Sequence, residues 1–332
     1  MIGHISLAYY RVTFVPEDII LMPRLNKGNV LRGAFGSSLR RLICALPSSG
    51  QDVECAHCSL RESCPYSLIF NPIGLNPAKR LQTPPRGYVI KPPLEEETRY
   101  QHDRPLRFGM VLIGDRVRFL PYLIVTLQEL GRWGIGLNRG RFTLGRLEAL
   151  RERDFEPIYD PSTHTVLNVE AFIRGDQILE RAKDFDEHEV TIHFLTPTRI
   201  KYNPTGERDR SDVVRVPEFH HLLRRLRDRI SALSSTYCGK PLEIDFQGIA
   251  ERARSVKTRR VTLRWVERTR KSIHDQSGFV GRITYGGSIG EFLPLLLLGE
   301  YVHLGEDAVF GHGWYRIEGG RETKGGGENE KN

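Results

Sequence analysis

Residues 278–317 read GFVGRITYGGSIGEFLPLLLLGEYVHLGEDAVFGHGWYRI. The first part carries the β-branched and aromatic residues of a strand, and FLPLLLLGEYV is an apolar run with proline where the first turn of a helix tolerates it. A loop punctuated by Gly305, Gly311 and Gly313 follows, and WYRI closes as a strand. Phosphate-binding glycine fingerprints run strand, loop, helix. Here the order is helix, loop, strand, so a nucleotide-binding enzyme fits poorly.

The same pattern stands earlier in the chain: FLPYL at 119–123 followed by GIGLNRGRF at 134–142 is echoed by FLPLL at 292–296 followed by GEDAVFGHGWYR at 305–316. Working outward from each copy gives two parallel readings. In the first half, HISLAYYRVTFVPE is a strand, GNVLRGAFGSSLRRLICAL a helix, RGYVIKPP and LRFGMVLIG strands, FLPYLIVTLQELGRWGIG a largely buried helix and GRFTLGRLEAL a strand. The second half repeats the order with EVTIHFLTPTRIK, VPEFHHLLRRLRDRISALSSTY, TRRVTLRWVE, GFVGRITYGG, the leucine-rich helix and WYRIE. Each half is therefore βαββαβ, and the fold expected is α+β, a duplication of one ferredoxin-like (RRM-like) unit. The units are expected at 1–158, with a cysteine-rich insertion at about 44–70, and at 189–318. Residues 159–188 are expected to connect them with little core of their own, and the glycine-rich residues 319–332 to be a disordered tail.

The 332 residues are 39% apolar and 27% charged, enough for a folded core and against disorder as the default. No secretory leader and no uninterrupted apolar run of membrane-spanning length is visible, so a cytoplasmic protein without a membrane partner is expected. The net charge of +8 is clustered. Residues 23–51 carry Arg24, Lys27, Arg32, Arg40 and Arg41 with no acid, and RARSVKTRRVTLRWVERTRK at 252–271 sets nine basic residues against Glu267. Two such stretches favour a polyanionic partner.

The order of these pieces resembles the RAMP proteins of CRISPR systems, most of all the pre-crRNA-processing endoribonuclease family, the sixth CRISPR-associated protein (Cas six). The residues that carry the resemblance are LRGAFGSSLRR, CAHCSLRESCPYSLIF, LRFGMVLIGD, GIGLNRGRFTLGRL, HFLTPTRIK and the whole of 278–317. The resemblance implies binding of CRISPR repeat RNA and one cut per repeat without a metal, the ribose 2′-hydroxyl attacking the adjacent phosphate and expelling the 5′-oxygen. Such a step needs a base, an acid, charge stabilisation on the phosphorane and in-line geometry. The family carries its general base as a histidine on or near the first helix. This chain has no histidine between His4 and His57, which keeps a second function open: a non-catalytic RAMP subunit holding crRNA among effector-complex subunits.

Lys27, at the start of the basic helix, is a candidate to stabilise the phosphorane or protonate the leaving oxygen. His312, alone among histidines inside the glycine loop, and His274, beside the second basic cluster, are candidate acid–base groups. Arg32, Arg40, Arg41, Arg259 and Arg260 are candidate phosphate contacts, and Gly305, Gly311 and Gly313 are expected to let the backbone approach RNA. His220 and His221 are further candidates, of which adjacent helix positions let at most one face a given site. Tyr9 and Tyr10, on the first strand, are candidates to orient the ribose.

Cys55, Cys58 and Cys64 fall together in CAHCSLRESC, with Cys44 upstream. Their spacing suggests a structural zinc closed by four ligands, Cys44 or His57 supplying the fourth, with an iron–sulfur cluster not excluded by spacing.

Overall fold

The computed structural model describes residues 1–44, 55–72, 84–167, 171–203, 211–267 and 276–319. The expected tail beyond 319 and His274 lie outside them.

In the first unit, β1 (Ser6–Pro16), β2 (Tyr88–Lys91), β3 (Leu106–Ile113) and β4 (Phe142–Arg151) form an antiparallel sheet in the order β2-β3-β1-β4. Helix α1 (Lys27–Ile43), the short α2 (Pro65–Phe70) of the cysteine-rich insertion and α3 (Leu120–Trp133) complete it. Alternate residues of β1 decide its two faces. Tyr10, Val12 and Phe14 join Leu31, Phe35 and Leu39 of α1 and Leu123, Ile124 and Leu127 of α3 in one core.

Residues 159–188, expected to connect the units with little core of their own, are corrected by the structure where it describes them. Strand β5 (Asp154–Asp160) extends the sheet beyond β4, β6 (Ile173–Arg174) pairs with β1, and α4 (Gly175–Ala182) follows. Tyr159, Ala171, Ile173 and Ile178 are buried, so this stretch has substantial core contacts. Pro157 and the polar residues around it hide that pattern from a simple alternation test.

The second unit pairs β7 (Glu189–Thr198), β8 (Lys257–Val266), β9 (Gly278–Gly286) and β10 (Tyr315–Glu318) in the order β8-β9-β7-β10, again antiparallel. Position for position this is the strand order of the first unit. Its helices are α5 (Phe219–Tyr237), α6 (Phe246–Ala253), which the sequence reading did not include, and α7 (Leu293–Val302).

The two units share a core. Leu7, Val89, Val111 and Ile113, on the face of the first sheet away from α1 and α3, belong to the same apolar cluster as Leu226, Ile230 and Leu233 of α5 and Leu295 to Leu298 of α7. Buried between that cluster and its own sheet, α7 is apolar around nearly its whole circumference, as an enclosed helix should be. Its one buried acid, Glu300, is satisfied by Arg181 Nη1 at 2.8 Å and by the Ile317 amide at 2.8 Å. Among the described residues no helix is long and apolar enough to cross a membrane.

Candidate nucleic-acid interface

The last loop, the start of α1 and the residues that lead into β9 meet between the units. Gly28 packs on the backbone of Phe310, where a Cβ would lie 1.9 Å from the carbonyl oxygen. One helical turn on, the Arg32 guanidinium sits 4.5 Å from the ring centroids of both Phe70 and Phe310. Asn29 Nδ2 donates to Gln276 Oε1 at 3.0 Å, tying the hairpin to the same turn. Lys27, Arg32 and the glycine loop are thus brought together.

Their states differ from the expectations. Lys27 is 3% exposed; its Nζ donates to the Glu95 carbonyl and lies 5.5 Å from the Tyr100 ring centroid. Burial lowers its pKa, an effect opposed by Glu95, Glu97 and Glu96. It fastens the helix start to the 95–100 segment and does not face solvent. His312 is 6% exposed and packed within its turn.

The glycines also answer to protein. A Cβ on Gly305 (φ 84°) would meet the Arg199 carbonyl oxygen at 2.4 Å, and one on Gly313 (φ 66°) the Leu304 carbonyl oxygen at 1.6 Å. Gly311 (φ 87°) lies against Pro92, and its carbonyl accepts from Thr196 Oγ1 at 2.7 Å. Positive φ and close chain crossing are by themselves enough to require glycine at these positions.

Beside this junction lies a group that the sequence reading did not identify. Lys91, the single charge in the strand YVIK, is 5% exposed, with Nζ 4.6 Å from the ring centroids of Tyr9 and Trp314 and 5.4 Å from that of Tyr301. Register explains the cage. Lys91 and Arg11 both stand opposite Gly109, whose missing side chain leaves room for Tyr9 to lean towards Lys91. Tyr9 is half-buried and contacts Phe155 edge-on at 5.2 Å, while Tyr10 points into the core. Arg11, 4.2 Å from the centroid of Phe155, pairs with Glu148 at 2.8 Å.

Behind the cage, His303 (φ 61°) is fully buried and stacks on Trp314 at 5.8 Å. Among the described residues neither ring nitrogen has a partner at full hydrogen-bond geometry, although the His312 backbone lies close enough to interact. Burial first, then the charges of Lys91 and Arg229, hold its pKa well below the usual histidine value. The sequence signals for this group were a lysine closing an apolar strand and a histidine at the end of the leucine-rich helix.

The remaining candidates lie elsewhere. Arg40 and Arg41 are exposed at the far end of α1, about 20 Å from Lys27 by helical rise; Arg41 stands 4.6 Å from the Trp133 ring centroid. Arg259 and Arg260 are exposed on β8, and Arg259 is the extra residue of a bulge between Thr258 and Arg260. After that bulge Arg260, Thr262 and Arg264 share one face with Arg282, Thr284 and His193, opposite the buried Ile283 and Ile192. Tyr202 lies beside both His220 and His221, at 5.8 and 4.2 Å.

The geometry of the cysteines gives the expected zinc site no support. Cys55 is close enough to Cys64 and Cys44 for each to raise its pKa, although burial is the larger cause. Yet among the described residues no group of three or more His, Cys, Asp or Glu side chains is arranged to hold a metal.

Comparison with known proteins adds a family to this geometry. Residues 192–315 match the family model described as CRISPR-associated endoribonuclease Cas6, and residues 5–171 match a model for an N-terminal domain. An uncharacterized protein of Archaeoglobus fulgidus is 26% identical over 295 residues, 87% of this chain and 91% of that one. A Cas6 product complex superimposes with a TM-score of 0.57 at 16% identity, over 94% of this chain and 99% of that chain. Thermus thermophilus Cas6 gives 0.55 at 14%, over 94% and 98%. A partial Cas6-RT-Cas1–Cas2 complex gives 0.57 at 14%, over 96% of this chain and 47% of that chain. At these identities the structural likeness is one of fold.

Proposed function

We propose that the chain is a CRISPR-associated endoribonuclease of the Cas6 kind, a reading supported by the match of residues 192–315 to that family's model and by the Cas6-like fold, and that it binds CRISPR repeat transcripts and cuts them to guide crRNAs without a metal. The observation that supports this best is the meeting of α1, the last loop and the basic hairpin through the Gly28–Phe310, Arg32–Phe310 and Asn29–Gln276 contacts. A strand of RNA laid across that junction would be held by cations from both units, with Arg40, Arg41, Arg259 and Arg260 on its flanking phosphates.

In the cut, a base takes the ribose 2′-hydroxyl proton as the 2′-oxygen attacks the adjacent phosphorus. The bond from phosphorus to the 5′-oxygen breaks and an acid protonates that oxygen, leaving a 2′,3′-cyclic phosphate and a 5′-hydroxyl. His274 is our candidate for proton transfer, being two residues from Gln276, which is bonded to α1. Lys27 and His312 are assigned the supporting parts their burial suits: fixing the helix start and the loop against which the RNA lies.

Two observations favour the non-catalytic reading, a subunit that holds crRNA in an effector complex: α1 has no histidine and the Lys27 ammonium is already engaged. Incubating the full chain with its repeat RNA in EDTA separates the two. A single cut with a cyclic-phosphate end, lost in His274→Ala, is the expected result. Tight binding with no cut would establish the second reading instead.

A further inference from the structure

At the opposite end of α5 from the junction between the units lies a cavity of about 280 Å³ lined by Tyr202, His220, Arg224, Arg227, Phe246, Gln247, Ala250 and Arg254. The two places are well separated. Tyr237, at the C-terminal end of α5, donates to the Pro85 carbonyl of the first unit, whereas His220 is in the first turn, about 25 Å away by helical rise.

The charges around this cavity are unbalanced. Arg227 is held by Asp228 at 2.6 Å and by the Phe246 carbonyl at 2.7 Å. Glu218 lies 3.4 Å from His220, and Asp245 is occupied in capping α6 through the Gln247 and Gly248 amides. Glu251 accepts from Gln247 Nε2 at 3.1 Å, and among the described residues neither the Arg224 nor the Arg254 guanidinium has a hydrogen-bond or ion-pair partner. Two aromatic rings complete the walls, and Phe246, 37% exposed, carries Arg227 at 4.9 Å from its centroid.

Free guanidinium groups beside aromatic faces match a phosphate joined to a base. We propose that this cavity is a second, separate nucleotide site, in which Arg224 and Arg254 take a phosphate and Tyr202 and Phe246 flank the base. Its volume sits at the small end of ligand pockets, which suits one nucleotide and not a run of them. The occupant is therefore a free mononucleotide or the phosphorylated end of an RNA strand. Nothing in this argument depends on the chain cutting repeat RNA.

The test uses the full chain with adenosine 5′-monophosphate, uridine 5′-monophosphate, adenosine and inorganic phosphate in calorimetry. A 5′-phosphorylated, non-repeat RNA oligomer and its 5′-hydroxyl counterpart form the second arm. Either mononucleotide is expected to bind at least tenfold more tightly than adenosine, and Arg224→Gln/Arg254→Gln to lose that advantage while its circular dichroism and unfolding midpoint stay unchanged. Preference for the phosphorylated oligomer over the mononucleotides would identify the strand end as the occupant, and the reverse the free nucleotide. In the wild-type protein, the His220 imidazole pKa, held down by burial and by Arg254 and Arg224, should rise as the anion binds. Equal binding of nucleotide and nucleoside, or an undiminished nucleotide affinity in the double variant, would overturn the proposal.

Discussion

Gly28 in the first turn of α1 and Phe310 in the last loop are in direct backbone contact, so closely that no side chain fits between them. Gly28→Ala is expected to destabilise the chain by about 1–3 kcal/mol, the usual cost of overpacking against atoms that do not yield. Gly33, in the same helix, has nothing within 4 Å of its Cβ position, so Gly33→Ala should stabilise by about 0.4–1 kcal/mol through helix propensity. Urea unfolding of the two variants measures both. Equal effects would mean that the junction gives way as easily as open solvent.

Arg32 between Phe70 and Phe310 depends on the flat guanidinium as well as on charge. Replacing it with lysine should cost about 1 kcal/mol or more, because the ammonium cannot stack on two rings at once. Arg32→Lys and Arg32→Ala are therefore expected to show similar falls in thermal midpoint. Full rescue by lysine would assign the stability to charge alone.

His303 makes stability sensitive to mild acid, with a definite sign. Its folded-state pKa is held below the ordinary value of 6.5, so the unfolded chain binds the proton more readily. Above about pH 6.5 the residue is neutral in both states and costs nothing; as pH falls below that value its contribution erodes, by at most about 1.4 kcal/mol per pH unit while it stays neutral in the fold. His303→Asn removes the titration and suits the positive φ. Denaturant midpoints between pH 7.5 and 5 should fall less steeply in this variant, and parallel curves would show that other groups dominate.

Arg260 and Arg264 stand exposed on one face of β8. If RNA crosses that face, Arg260→Gln and Arg264→Gln should each reduce the slope of log affinity against log salt by about 0.7, the single-strand value per phosphate contact. Unfolding midpoints should not move. An unchanged slope with weaker binding would point to a contact other than phosphate.

The duplicated βαββαβ order was legible because it rests on periodicity and on one repeated phrase, FLPYL and FLPLL, each followed by glycines. Both sheets follow it in the same strand order. The connection expected at 159–188 was misread because its partners are distant: Ile173 is buried by pairing with β1, a contact no local pattern reports. Site residues fared less well for a related reason. Lysine at position 27 looks solvent-bound in sequence, and only the 95–100 segment folding over it makes it interior. Lys91 escaped notice because its three aromatic neighbours come from positions 9, 301 and 314. Charge clusters on edges and helix ends were easier: Arg40, Arg41, Arg259 and Arg260 are all exposed, as solvated or ligand-facing groups should be.

Leu7, Val89, Val111 and Ile113 are covered by helices that are made last, which bears on how the chain emerges from the ribosome. When residues 1–160 have been synthesised, the first sheet can assemble with one face bare, and that face stays partly wet until α5, beginning at Phe219, and then α7, beginning at Leu293, have followed. At typical rates of about 5–20 residues per second, the interval is several seconds or longer. Truncation after the first unit should therefore yield an aggregating product and not a stable half-protein.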